Sequence, residues 1–221
     1  QFQAIVSYTQ MTIALVPNQV TTEGATYLIP EIQFNDPHPG YLHTASIAWG
    51  DGPSVSAATV GTSPLRIVAG SASHVFVDNM SVTATLTISD NMGNSESRAI
   101  AIGVLNAAPV VAAMPGMTAV EGSPISIADV SFTDAGLIDT HTASISWGDA
   151  SAPSVPTINA ASRTVVGSSV SHTYADNGSY LVTLTVTDND GASATSSMTV
   201  VVSNAAPVVA AMPGMTAVEG S

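Results

Sequence analysis

The sequence lacks cysteine and lysine altogether, and it holds 3 arginines against 16 acidic residues. Without cysteine the chain has no disulfide, no thiolate metal ligand and no cysteine nucleophile. A net charge of −13 disfavours nucleic acid and anionic membranes as partners, because both attract clusters of basic side chains. We therefore expect no nucleic-acid partner.

Long apolar runs and enzyme motifs are missing as well. Apolar residues make up 45% of the chain, yet no uninterrupted run approaches the roughly 20 residues of a membrane-spanning helix. The sequence has no G-x-S-x-G, no H-E-x-x-H and no glycine-rich phosphate loop, the patterns that place a nucleophile, a zinc ion or a nucleotide. We expect no membrane span in this segment, no enzymatic activity and no required cofactor.

What the sequence does contain is a repeat. Residues 204–221 are identical to residues 106–123, an offset of 204 − 106 = 98 positions. This offset aligns the acids, histidines and tryptophans of two copies without a gap: Glu23 with Glu121, Asp36 with Asp134, His43 with His141, Trp49 with Trp147, Asp51 with Asp149, His74 with His172, Asp78 with Asp176, and Asp90 with Asp188. The repeat predicts two domains of one kind, 8–105 and 106–203.

The ends of the chain fall inside further copies of the same repeat. Residues 1–7 occupy the register of residues 99–105, and residues 204–221 reproduce the opening of a copy. We expect 1–7 to be the last strand of a preceding repeat and 204–221 the first strand of a following one. The chain is then a window of a longer array.

Within each copy the apolar residues alternate with polar ones. One face carries Tyr180, Val182, Leu184 and Val186 in the second copy and Val82, Ala84, Leu86 and Ile88 in the first. This period of two is typical of a half-buried antiparallel strand. Trp49 and Trp147 fall on the inward side of their strands, so we interpret both as core residues rather than as sugar-stacking platforms.

Further strands are predicted over Ile125–Phe132, Arg163–Tyr174 and Ala194–Ser203, with turns at residues 121–123, 176–178 and 188–191. No segment of useful length has the 3.6-residue period of a helix. About seven short strands in each copy predict an all-β fold of tandem immunoglobulin-like β-sandwiches.

The second copy contains the runs Trp147-Gly148-Asp149, His172 to Tyr180 and Val182 to Asp188. These runs resemble the polycystic kidney disease (PKD) domain family, and the first copy resembles it less closely, with Trp49-Gly50-Asp51-Gly52, His74-Val75-Phe76 and Leu86 to Asp90. Met80 and Val82 stand where the second copy has Gly178 and Tyr180. The resemblance implies tandem PKD-type sandwiches of a bacterial or archaeal surface protein, used as spacer or binding modules, with no catalytic residues.

Acidic residues cluster in the predicted loops. In immunoglobulin-like order Asp134, Asp139, Asp188 and Asp190 would lie at one pole of the second copy, facing Glu23, Asp51 and Asp78 of the first. Calcium takes six to eight such oxygen ligands, so a Ca²⁺ site is one interpretation. The other is that Asp-Asn-Asp-Gly is an ordinary hairpin turn.

Histidines and sequons recur in register. We interpret His43, His74, His141 and His172 as hydrogen-bonded to a neighbouring loop carbonyl or carboxylate, and we assign Asp51 and Asp149 to bracing a turn. Asn79 and Asn177 each begin an N-x-S sequon at an equivalent turn. Both are candidate glycosylation sites, although asparagine and serine are common turn residues in any case.

These features favour a structural segment of an extracellular or cell-surface protein: a stalk, fibre, adhesin shaft or surface layer that acts as a spacer and an assembly or adhesion module. Its partners would be neighbouring repeats, copies of itself in a fibre or layer, and a surface protein or polysaccharide ligand. The alternative is an accessory substrate-binding module of a secreted polysaccharide- or protein-degrading enzyme. A third hypothesis is homotypic assembly through exposed strand edges.

Overall fold

The computed structural model describes residues 10–211, 214 and 219–220. They form two compact units. Unit 1 comprises residues up to 110 together with 133–142 and 187–194, and unit 2 comprises 111–132, 143–186 and the residues from 195 onward. The predicted strand at 1–7 lies outside the described residues. Residues 204–211 have no regular secondary structure, and the domain limits 8–105 and 106–203 stay a prediction.

Unit 1 is built from short strands. They are β1 (Thr12–Ile13), β2 (Gln19–Thr22), β3 (Thr26–Leu28), β4 (Ile32–Asn35), β5 (His43–Ala48), β6 (Val55–Ala58), β7 (Val60–Thr62), β8 (Leu65–Ile67), β9 (Ser73–Val75), β10 (Met80–Asp90) and β11 (Ser95–Leu105). Among the described residues they form sheets in the orders β1-β4-β8-β7 and β2-β11-β10-β5-β6, with β3 and β9 as a separate pair.

The two larger sheets of unit 1 share one core. Ile32 and Ile67 from the first sheet belong to the same buried cluster as Ile47, Leu86 and Ile102 from the second. On β10 the residues Val82, Ala84, Leu86 and Ile88 are all buried and those between them are not, as the sequence period predicted. Two sheets with one apolar face each, packed on a common core, make a β-sandwich.

Unit 2 repeats this plan. Its strands are β12 (Val110–Val111), β13 (Met117–Val120), β14 (Pro124–Ile125), β15 (Val130–Thr133), β16 (His141–Ser146), β17 (Thr157–Asn159), β18 (Thr164–Val166), β19 (His172–Thr173), β20 (Gly178–Asp188) and β21 (Ser193–Ser203). The described part of the chain orders them as β12-β15-β18-β17, β13-β21-β20-β16 and β14-β19. Unit 1 includes the ends of β15, β16, β20 and β21 that lie within residues 133–142 and 187–194. The expected all-β, immunoglobulin-like fold is confirmed.

Two predicted strands are interrupted. The run from Ile125 to Phe132 is divided between β14 and β15, and the run from Arg163 to Tyr174 is divided by a 3₁₀ turn at Gly167–Ser169. The breaks face each other, because the Gly167 amide donates to Asp129 Oδ1 at 2.9 Å. At this point each run passes between the β14-β19 pair and the four-stranded sheet that contains β15 and β18. The prediction of single long strands was therefore wrong.

In each unit the second strand and the last strand run side by side in the same direction. β2 pairs in parallel with β11, with Gln19 opposite Ile102, and β13 pairs in parallel with β21, with Met117 opposite Val200. The pairing continues into the next turn, where the amides of Glu23 and Glu121 donate to the carbonyls of Leu105 and Ser203. Among the described residues no helix has both the length and the apolar character that crossing a membrane requires.

Candidate functional site

Four of the five histidines form a hydrogen bond through Nε2 with an aspartate. The Nε2–Oδ2 distances are 2.7 Å for His43 and Asp36, 2.6 Å for His74 and Asp51, 2.7 Å for His141 and Asp134, and 2.8 Å for His172 and Asp149. This confirms the interpretation that each imidazole is held by a neighbouring loop group. Asp149 also braces its turn, because its Oδ1 accepts the amide of Ser151 at 3.1 Å.

Each Trp-Gly-Asp segment surrounds one of these histidines. The imidazole of His172 stacks on the Trp147 indole with ring centroids 4.7 Å apart, and His74 stacks on Trp49 at 5.1 Å. Both tryptophans are fully buried, which confirms that they fill the core. With one ring face covered by indole and Nε2 held by a carboxylate, the imidazole joins the strand end to the following turn, which is a structural role.

The two copies complete this aromatic cluster differently. In unit 2 the Tyr174 hydroxyl donates to the Trp147 carbonyl at 2.9 Å, and Tyr180 stacks on Tyr174 at 4.2 Å. Burial raises the pKa of Tyr174 to about 12, with smaller contributions from Asp149 and Tyr180. In unit 1, where Phe76 lacks the hydroxyl, Tyr27 packs edge-on against Trp49 at 5.9 Å. A second aromatic residue therefore completes the cluster in each copy, but it is Tyr27 in unit 1 and Tyr180 in unit 2.

We expect Asp149→Asn to lower the free energy of unfolding by about 1–3 kcal/mol at pH 7, since it weakens a partly buried hydrogen-bonded pair. Burial raises the pKa of Asp149, but hydrogen bonds from Ser151 and His172 outweigh it and hold the pKa below its ordinary value. Such a carboxyl stabilises the fold above its unfolded pKa of about 3.9, and that stability is lost as the pH falls through the lower folded pKa.

Urea unfolding at a series of pH values checks this prediction. The difference between wild type and Asp149→Asn should shrink below about pH 4. The control is Asp176→Asn, at an exposed aspartate of unit 2. A difference that stayed constant down to pH 2, or one matched by the control, would contradict it.

The acids singled out in the sequence fall into a cluster within unit 1. One carboxylate oxygen from each of Glu23, Asp134 and Asp139 lies within 4.8 Å of the others, and the same holds for Asp78, Asp139 and Asp190. Asp139 is common to both groups. We call these five residues the acidic cluster. Its donors are all carboxylate oxygens, the ligands that hard cations prefer.

Two other acids of the sequence prediction lie elsewhere. Asp188 is buried and its oxygens are engaged by its own hairpin: Oδ1 accepts the amides of Asp190 and Ala192 at 3.0 and 2.9 Å, and Oδ2 accepts from the Asn106 side chain at 3.0 Å. Asp51 pairs with His74. Asp188 therefore shapes the turn that carries Asp190 instead of joining the cluster.

Burial and the repulsion between like charges both act on the acidic cluster. Burial raises the pKa of Asp139 to about 6, and the charges of Glu23, Asp134, Asp78 and Asp190 add to the increase. Two unit charges at the 4.8 Å upper bound of these oxygen–oxygen separations repel by about 3 kcal/mol for an effective dielectric constant of 20. The arginines of unit 1 bind elsewhere, since Arg66 lies 3.4 Å from Glu31 and Arg98 donates to the carbonyl of Ile13 at 2.6 Å.

Sequence reasoning missed three supports of this cluster. The Ala107 amide donates to Glu23 Oε1 at 2.8 Å, and the Asn79 amide group donates to Asp190 Oδ1 at 3.2 Å. Gly136 leaves room for Asp139, because a Cβ at this position would overlap the Asp139 carboxylate. The one feature of the sequence that could have indicated such a support is Gly136, three positions before Asp139.

The two sequon asparagines are placed differently. Asn177 is exposed, whereas Asn79 is half-buried and its side-chain nitrogen, the atom that carries a glycan, donates to Asp190. A glycan on Asn79 would displace this contact. Glycosylation at either position stays a prediction, with Asn177 the more accessible.

No curated protein matches the chain. Among solved structures, the chain is similar to protocadherin gammaB7 EC3–6, a cis-dimer structure, with a TM-score of 0.38, 17% identity and 88% of this chain covered, and it spans 49% of that protein's chain. Drosophila N-cadherin EC1–3 gives a TM-score of 0.34 and 15% identity, with 90% of this chain and 70% of that chain covered. The fibronectin(III)-like modules of Clostridium thermocellum CbhA give a TM-score of 0.32 and 12% identity, with 88% of this chain and 95% of that chain covered.

A family model matches the second copy of the repeat. The matched residues are 106–202, almost the whole of the copy in which the sequence resemblance is strongest. The model that these residues match is that of the PKD domain, and domains of this type are typically non-catalytic modules.

Proposed function

We propose that this chain is a load-bearing structural segment of an extracellular surface protein, such as a stalk, fibre, adhesin shaft or layer. The observation that carries the proposal is the parallel pairing of β2 with β11 and of β13 with β21. The first strand of each pair lies near the N-terminal end of its copy, and the second lies at the C-terminal end. Tension applied through the chain ends therefore acts along the strands and loads these hydrogen bonds together, in shear.

The PKD match supports an extracellular location, and the gapless 98-residue offset supports a repeating spacer. Assembly with further repeats, with copies of the chain or with a surface ligand belongs to the same proposal. The alternative, a substrate-binding module, would need exposed aromatic platforms. In the described residues the large aromatic side chains Trp49, Trp147, Phe76 and Tyr174 are buried, and the half-buried Tyr41 is stacked on His38.

Single-molecule force spectroscopy tests the load-bearing role. The cysteine-free chain accepts introduced cysteines as unique attachment points for handles. Ala113→Cys with Val208→Cys pulls β13 against β21 along their length, and Leu181→Cys with Thr199→Cys pulls the neighbouring strands β20 and β21 apart sideways. We expect the lengthwise pull to need at least about twice the force, since its bonds break together and not in succession.

Equal forces in the two directions would overturn the load-bearing role. The alternative function has its own readout, because a substrate-binding module should be retained on insoluble polysaccharide or fibrous protein and should be released by the soluble fragments. Such retention would favour the accessory module of a secreted enzyme. We expect the chain to pass through unretained.

A further inference from the structure

The acidic cluster contains buried carboxylate oxygens that no protein group satisfies. Glu23 is 1% exposed, and while its Oε1 accepts the Ala107 amide, its Oε2 has no hydrogen-bond partner. Both carboxylate oxygens of Asp139 are also shielded from solvent and without a hydrogen-bond partner. Buried polar atoms are almost always paired, and a buried anion without a partner is strongly destabilising. A bound cation would satisfy these three oxygens.

The remaining members of the cluster are already oriented. Asp134 is held by His141 Nε2 at 2.7 Å and by the Gly136 amide at 3.1 Å, and Asp190 accepts from the side chains of Asn79 and Asn189. Hydrogen bonds to ligand carboxylates of this kind fix their direction in metal sites. The unsatisfied oxygens of Glu23 and Asp139 are thus surrounded by carboxylates that are fixed in place.

The donor set and its spacing select the ion. Oxygen-only ligands exclude sites built for zinc, which favours sulfur and nitrogen donors. Calcium holds its oxygens at about 2.3–2.6 Å, so two of its ligands can stand up to about 5 Å apart, whereas magnesium at about 2.0–2.1 Å requires a tighter octahedron. Oxygens that lie within 4.8 Å of one another can share a calcium ion, and the variable coordination of calcium accepts a set of five carboxylates more readily than the fixed octahedron of magnesium does.

We propose that Glu23, Asp78, Asp134, Asp139 and Asp190 form a calcium-binding site in unit 1, in which Asp139 ligates from the centre of the cluster. Calcium would tie the residue 133–142 segment and the residue 187–194 hairpin to the turns that carry Glu23 and Asp78. Removal of the ion would leave mutually repelling carboxylates, so this part of unit 1 should loosen first. This proposal does not depend on the load-bearing role.

The repeat supplies its own control. Glu121 and Asp176 stand 98 positions after Glu23 and Asp78, and Tyr41 and Met92 stand where the second copy has Asp139 and Asp190. Glu121 reproduces the linker contact of Glu23, because its Oε1 accepts the Ala205 amide at 3.0 Å. Among the described residues, however, the clustered acids include neither Glu121 nor Asp176. Glu121→Gln therefore removes the same charge and perturbs the same kind of contact without touching the cluster.

Calorimetric titration of the full 221-residue chain with CaCl₂ after EDTA treatment tests the site. We expect saturable binding with a Kd of roughly 10⁻⁴ to 10⁻³ M, the range of extracellular calcium modules. Asp139→Asn and Glu23→Gln should weaken binding at least about tenfold, and Glu121→Gln should leave it unchanged. Asp190→Asn, at an exposed side chain, is a milder variant that keeps the test valid if a buried substitution impairs folding.

Melting temperature and amide hydrogen exchange complete the test. Calcium should raise the melting temperature of wild type and slow exchange in residues 133–142. Asp139→Asn should not respond to calcium and should melt higher than wild type in EDTA, since it removes one repelling charge. No binding heat together with equal melting temperatures in calcium and EDTA would overturn the proposal. So would equal losses of binding in Glu23→Gln and Glu121→Gln.

Discussion

Trp147→Ala should lower the free energy of unfolding of the chain by about 3–5 kcal/mol, a large fraction of the roughly 5–15 kcal/mol that stabilises a typical domain. The indole is fully buried, donates its Nε1–H to Ser154 Oγ at 2.9 Å and forms the surface on which His172 stacks. Alanine would leave a cavity among Tyr174, His172 and the core of unit 2. The loss is large because packing, a hydrogen bond and ring stacking disappear together.

Urea unfolding followed by near-ultraviolet circular dichroism measures this loss. Trp147→Phe separates its components, because phenylalanine keeps much of the volume but cannot donate to Ser154, so it should lose less. Leu181→Ala, at a 60% exposed position on β20, is the control and should stay within about 0.5 kcal/mol of wild type. If Trp147→Ala lost no more than this control, Trp147 would not be the centre of the core.

The core could be predicted from the sequence because its signal is local. Alternation of apolar and polar residues fixes which side chains share a face, and the alternation along β10 and β20 agrees with the observed burial. The interruption at Gly167 could not be predicted in this way. It depends on the close approach of Gly167 to the backbone of Ile127 and Ala128, and those residues are about forty positions earlier in the chain.

The candidate site was only partly predictable, because it too depends on contacts between residues that are far apart in the sequence. Immunoglobulin-like order was enough to expect acids from distant loops to meet, and Glu23, Asp78, Asp134, Asp139 and Asp190 do so. Which oxygens remain unsatisfied depends on individual hydrogen bonds that no spacing encodes. The hairpin contacts of Asp188 could have been expected from the sequence, since the first aspartate of an Asp-x-Asp-Gly turn commonly accepts the backbone amides two positions on.

Gly148→Ala should destabilise the chain by about 3 kcal/mol or more, because two separate costs combine at this position. Gly148 has φ of +83°, where a residue with a Cβ is strained by about 1–2 kcal/mol. The added Cβ would also stand 2.5 Å from the carbonyl oxygen and 2.9 Å from the amide nitrogen of Leu181. Backbone atoms of β20 cannot move aside as a flexible side chain could.

Gly191→Ala isolates the second cost. Gly191 has a similar φ of +93°, but a Cβ there would meet nothing within 4 Å, so this variant should lose only the conformational strain of about 1–2 kcal/mol. Urea midpoints of the two variants, measured side by side, give the overlap energy as their difference. Gly148 lies between Trp147 and Asp149, so relief of the overlap must displace one of the two groups that hold His172. Equal losses in the two variants would mean that the Trp-Gly-Asp segment needs glycine for its backbone angle alone, and not for its contact with β20.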